Sequence, residues 1–262
     1  MALKNVIIPV DFSETSLNAA RYAAAMLTNQ ADSKVVLYNM FDKIEESETS
    51  KDYLESLKNE FREKGVSNVE VIKEKGDDLI DCLDRLAFQK AATLIIMGIT
   101  GRSPVAQTLI GSNTLKMAEK NVCPVLIIPP NAKFNGIKNV AFTTDFNDLE
   151  STPIAYIKMV MALFKANLHV INVDSNHYIT LNENYEKGRQ KLSDMLKEYN
   201  PEFTFMRWFS FHEAINQFAA DYNIDLILIV PKHHSLLSRV LGNDYAKELI
   251  YHTSVPVLAI HQ

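Results

Sequence analysis

Only two cysteines, Cys82 and Cys123, occur in 262 residues. They stand far apart and form no C-x-x-C pair, so the chain carries neither a disulfide framework nor a cysteine-pair metal motif. Cys82 falls inside a helical pattern and Cys123 directly before Pro124, and both read as reduced, structural thiols. Glycine is also scarce, at eight residues, which makes the position of each one informative. Basic residues are in the minority, with 27 Lys and Arg against 32 Asp and Glu, a formal charge of −5 and a pI near 5.8. That balance gives no broad electrostatic footprint for nucleic acid or an anionic membrane, so neither is an expected partner and any anion must be held locally. No apolar run reaches the ~18 residues of a membrane span. The start, Met1-Ala2-Leu3-Lys4-Asn5, passes into a strand pattern without the segments of a secretory leader, and a cytoplasmic location is the expectation.

What is present is a soluble globular composition, 47% hydrophobic and 23% charged, long enough for one large or two ordinary domains. The chain repeats itself at an offset of roughly 133 residues. Lys4-Asn5-Val6 returns as Lys138-Asn139-Val140, and Asp11-Phe12 as Asp145-Phe146. Val35 to Met40 returns as His169 to Val173 with Asn39 and Asn172 shared, and Cys123-Pro124-Val125-Leu126 as Val255-Pro256-Val257-Leu258. A breaker-rich stretch with Pro129, Pro130 and Gly136 lies between the copies. Domains at 1–130 and 137–262, joined by a linker at 131–136, follow.

In the first copy, apolar β-branched runs (Val6–Val10, Lys34–Met40, Asn68–Lys73, Thr93–Met97, Val125–Ile128) alternate with helical patterns over about Ser13–Asn29, Thr49–Lys64, Asp77–Gln89 and Ser112–Lys120. The acidic stretch Asp42 to Glu55 reads as a solvated loop and the first turns of a helix. Ser13 and Asp77 are the expected N-caps, with Gly65 and Gly76 at breaks. The second copy places strands at Val140–Thr144, Leu168–Val173, Phe203–Trp208, Leu226–Val230 and Val257–Ile260. Near-continuous apolar strands separated by helices predict an α/β fold with two tandem, open, parallel five-stranded sheets of Rossmann-like layout. Ligands of such sheets bind outside the carboxyl ends of the strands, where Asp11, Met40 and Gly98 all fall.

The most informative stretch follows the strand ending at Met97. Gly98, Gly101, Gly111 and Ser112 are spaced G-x2-G-x9-G-[ST], and Gly111-Ser112-Asn113-Thr114 opens a helix. Glycines there allow φ > 0 and let backbone N–H groups approach a phosphate, while a helix N-terminus favours anions. Arg102 adds a guanidinium that can fork onto phosphate oxygens, and Ser112 and Thr114 offer hydroxyls to phosphate or to a magnesium ion. The same residues have a plain structural reading. Gly98 and Gly101 would make a tight turn, Ser112 would cap a helix, and Asp11 would cap the first one.

This spacing resembles the ATP-binding motif of the universal stress protein family, in its nucleotide-binding branch. Val6-Ile7-Ile8-Pro9-Val10-Asp11 is similar to that family's first strand and the acidic residue at its end. The resemblance implies an adenine-nucleotide-α-hydrolase-like fold and a stress-response role. It also implies that Pro9, Val10, Asp11 and Met40 line adenine and ribose, that Gly98, Gly101, Arg102, Gly111, Ser112, Asn113 and Thr114 contact ribose and phosphates of ATP or AMP, and that Met97 belongs to the same nucleotide site. It further implies that the two domains pair through their last strands as an intramolecular pseudo-dimer; whether two chains then form a homodimer stays open.

The second copy lacks the motif. Twenty-six residues separate Gly98 from Pro124 and Val230 from Pro256, so Gly98 becomes Val230, Gly101 His233, Gly111 Asn243 and Ser112 Asp244. A β-branched residue disfavours φ > 0, and a carboxylate repels phosphate. Nucleotide binding is expected in the first domain alone. His233 and His234 with Asp244, joined by His212 or His252, suggest a metal, but adjacent histidines rarely reach one ion and no metal motif supports it. There is no G-x-x-x-x-G-K-[ST], no receiver-type acidic pair, no G-x-S-x-G and no recognisable nucleophile–base set. The expected function is binding of a regulatory nucleotide. The alternatives are an interaction scaffold and a protein that hydrolyses ATP slowly or transfers phosphate to itself on Ser112 or Thr114.

Overall fold

The computed structural model describes residues 3–28, 30, 32–42, 44–99, 112–120, 122–146, 149–150, 152–174, 183–231 and 245–261. Gly101, Arg102 and Gly111, and in the second copy His233, His234, Asn243 and Asp244, lie outside the described residues. The chain divides into two compact units, 1–135 and 136–262.

The first unit runs β1 (Asn5–Pro9), α1 (Glu14–Leu27), β2 (Lys34–Phe41), α2 (Ile44–Glu63), β3 (Val69–Lys75), α3 (Leu79–Gln89), β4 (Leu94–Gly98), α4 (Ser112–Glu119) and β5 (Val125–Ile128). Its strands are parallel, in the order β3-β2-β1-β4-β5. Right-handed crossovers put α1 and α2 against each other, and likewise α3 and α4. Strands covered by helices on both faces must be apolar throughout, and Ile7, Ile8, Leu37, Ile95 and Ile96 are fully buried. The order reverses direction between β1 and β4, which opens the crevice where such sheets bind ligands.

The second unit repeats the plan with β6 (Asn139–Thr143), α5 (Ile154–Phe164), β7 (Asn167–Asp174), α6 (Glu183–Leu196), a single 3-10 turn (Lys197–Tyr199), β8 (Glu202–Arg207), α7 (Phe211–Asp221), β9 (Leu226–Ile229), α8 (Tyr245–His252) and β10 (Val257–Ala259). Its strands are again parallel, in the order β8-β7-β6-β9-β10.

Local chemistry sets the element ends. Ser13 caps α1 by accepting from Ser16 N, as its sequence position predicts. The cap of α3 is Asp78 and not Asp77, because the Asp78 carboxylate accepts from both Ile80 N and Asp81 N, at 2.8 and 3.1 Å. Gly65 ends α2 with φ at +86°, and the N–H groups of Gly65 and Val66 return to Arg62 O and Phe61 O. Both cysteines are free and buried, and burial pushes the Cys123 thiol up to about 12. Among the described residues, no helix is long and apolar enough to cross a membrane.

Candidate functional site

Three segments converge on Gly98 at the carboxyl end of the first sheet. A Cβ at Gly98 would lie 2.3 Å from Thr15 O and 2.7 Å from Thr15 C, so the first turn of α1 packs directly on this residue. Thr114, in the first turn of α4, donates its hydroxyl to Gly98 O at 3.0 Å and is itself buried. Ile99 N continues toward Ile128 O of β5.

This geometry corrects the sequence reading of Gly98. Its φ is not positive; among the described glycines only Gly65 and Gly136 have that conformation. The missing side chain here admits the backbone of Thr15 and Ser16. Thr114 gives its hydroxyl hydrogen to Gly98 O, a bond that holds α4 on the end of β4.

Asp11 stands exposed just past β1, with Oδ1 accepting from Ser13 N at 3.0 Å and from Ser13 Oγ at 2.6 Å. Ser13 Oγ in turn accepts from Ser16 N, and Ser16 Oγ accepts from Asp11 N. The surrounding chain desolvates the carboxyl and raises its pKa, but the hydrogen bonds from Ser13 and Ser16 outweigh this and hold it below its ordinary value of 3.8. Asp11 is therefore an ionised acceptor fixed in place before any ligand arrives. The residue between Asp11 and Ser13 is strained, because Phe12 has φ at 64° and its counterpart Phe146 has φ at 60°. The Asp-Phe pair repeats in the sequence as Asp145-Phe146, and both copies have this left-handed backbone.

Pro9 ends β1 and Val10 follows it buried, its N–H on Tyr38 O and its carbonyl accepting from Asn39 Nδ2 at 2.8 Å. Asn39, which recurs in the sequence as Asn172, ties β2 over the end of β1, and Asn172 does the same to Thr144 O in the second unit. Met40 is half-buried, and a Cβ at Gly76 would meet its Sδ at 3.0 Å and Cys82 Sγ at 2.9 Å. Met97 is buried within β4. Ser112 opens α4 and Asn113 is exposed in its first turn. Thus Pro9, Val10, Asp11, Gly98 and Thr114 come together around the β1 and β4 ends, with Met40 on the neighbouring strand.

In the second unit Asp145 is exposed past β6 and Val230 is half-buried past β9. His212 and His252 stack with ring centroids 4.6 Å apart, and their nitrogens lie near Ser210 Oγ and Glu248 Oε2. Among the described residues no group of three or more His, Cys, Asp and Glu side chains is placed to hold a metal ion.

The model of the Universal stress protein family matches residues 2–129, nearly the whole first unit. A universal stress protein of Synechocystis is 25% identical over 214 residues, spanning 78% of this chain and 69% of the relative. Another, from Methanocaldococcus jannaschii, is 24% identical over 153 residues, spanning 48% of this chain and 94% of the relative. The crystal structure of a universal stress protein from Archaeoglobus fulgidus superposes with a TM-score of 0.78 at 18% identity, covering 100% of this chain and 99% of that one, a likeness of fold along the full length. Residues 2–129 thus form a domain of the universal stress protein family, and the chain as a whole shares the fold of a universal stress protein.

Proposed function

We propose that the first unit binds an adenine nucleotide, ATP or AMP, at the carboxyl ends of β1 and β4, and that the nucleotide acts as a regulatory ligand in a stress response. The observation that carries this reading is the convergence on Gly98 of the α1 turn, the β4 end and the α4 N-terminus. The two hydrogen bonds from Ser13 both fall on Oδ1 of Asp11, and Oδ2 is the oxygen we assign to a ribose hydroxyl. Val10 and Met40 offer apolar surface for the base, and the first turn of α4, with Ser112 and Asn113, offers backbone N–H groups to phosphate. Gly101, Arg102 and Gly111 belong to the same proposal through the motif spacing.

Of the hydroxyls that could meet a magnesium-bound triphosphate, Ser112 carries one by sequence, and Thr114, buried, gives its hydrogen to Gly98 O and keeps the oxygen lone pair that a cation takes. The Thr114 hydroxyl is buried and poorly placed as a phosphate acceptor, and among the described residues no base is hydrogen-bonded to it, which favours binding over self-phosphorylation. The second unit, lacking the glycine spacing, serves structure or a different ligand, and the protein works in the cytoplasm.

Calorimetric titration of nucleotide-stripped protein with ATP and with AMP, in magnesium, tests this. One site per chain is expected, abolished by Gly111→Val and retained in Asn243→Val. Equal binding by the two variants would remove the site from the first unit, and no binding by the wild type would leave an interaction scaffold.

A further inference from the structure

The outermost strand of the second unit, β8, pairs with β7 on one side only, and among the described residues no strand meets its other side. An open row of backbone N–H and C=O groups templates pairing with another chain, and proteins normally blunt such edges with charge. The corresponding outer strand of the first unit does so: β3 carries Glu70, Lys73, Glu74 and Lys75, with Glu70 bridged to Lys90 and Glu74 to Arg85. In β8 the only charges, Glu202 and Arg207, stand at the two ends. Between them Phe203, Thr204, Phe205 and Met206 are all half-buried. The two rings share one face with Phe146 and Tyr185, and the Arg189 and Arg207 guanidinium groups lie 5.4 and 5.7 Å from the centroids of Phe203 and Phe205. The apolar run continues into Trp208, 40% exposed, and Phe209, 86% exposed.

The order of residues in β8 suits one partner in particular, the same strand of a second copy. Two identical edges join in one continuous sheet only as antiparallel strands about a two-fold axis normal to the sheet. Opposed side chains must then share a face, so the numbers of opposed residues sum to an even value. With the axis at Thr204, Phe203 of each copy faces Phe205 of the other and Glu202 faces Met206, so aromatic rings pair twice and no like charges meet. We infer that β8 is a homodimerisation edge, joining two copies in antiparallel register with Thr204 on the two-fold axis.

Sedimentation velocity of the full-length chain over a range of concentrations reads the association directly. The wild type is expected to form a dimer that dissociates on dilution. Thr204→Lys sets two ammonium groups against each other at the axis and should yield monomer, with an unchanged far-UV circular dichroism spectrum showing that the unit still folds. Thr204→Cys should cross-link into a covalent dimer on mild oxidation, whereas Glu202→Cys, opposite Met206, should not; Cys82 and Cys123 are buried and add little background. A wild type that stays monomeric, leaving the edge to an extended segment of another protein, overturns the inference. So does a dimer untouched by Thr204→Lys, or equal cross-linking of the two cysteine variants.

Discussion

Asp11 accepts both the N–H and the hydroxyl of Ser13 on one oxygen, and the effect of its hydrogen bonds on its acidity can be tested. Its carboxyl titrates below its ordinary value in the folded chain, so the ionised form contributes stability above that value and the contribution is lost as pH falls through the folded pKa. Asp11→Asn should therefore be less stable than the wild type near neutrality, and the gap should close as the solution is acidified below the normal carboxylate range. Urea unfolding at neutral and acid pH measures this, and a gap that persists in acid would assign the loss to shape and not charge. The carboxylate itself was legible in the sequence, because it follows an apolar strand and repeats as Asp145. Its support by Ser16 was not, since a serine three residues into a helix pattern gives no sign of which backbone N–H it will accept.

At the scale of elements, the packing of α1 on β4 depends on the absence of one carbon. Gly98→Ala would set a Cβ 2.3 Å from the Thr15 carbonyl oxygen, a backbone atom that cannot move without its helix. Overpacking of this kind costs about 1–3 kcal/mol. Gly76→Ala meets only the flexible thioether of Met40 and the Cys82 thiol, so its loss in thermal or urea unfolding should be the smaller of the two. The strands and helices were readable because apolar β-branched runs and helical patterns alternate so regularly. Their ends were read less well: Asp77 and Asp78 are chemically equal candidates, and only the backbone path decides which carboxylate reaches two N–H groups. The same limit explains Gly98, whose value to the sequence reader was conformational freedom and whose use in the fold is space.

For the whole molecule, one fold occurs twice with different chemistry at the strand ends. If the first unit alone takes nucleotide, hydrogen exchange with saturating ATP should slow for backbone amides near Asp11–Ser16, Gly98–Ile99 and the start of α4, and stay unchanged around Asp145 and Val230. Protection in both units would mean that Val230 and its neighbours had been misjudged. The parallel βα plan was visible in the internal repeat, which aligns Asn39 with Asn172 and Pro124 with Pro256.

Phe12 and Phe146 deserve a last comparison, since a bulky residue at φ near 60° costs roughly 1–2 kcal/mol and both units bear that cost. The second unit bears it although its sequence has lost the glycines that motivate a ligand in the first. In the first unit the bend leads straight into the Ser13 cap and α1 at Glu14, whereas α5 of the second unit starts only at Ile154, so the same corner is kept at two different distances from the helix that follows it.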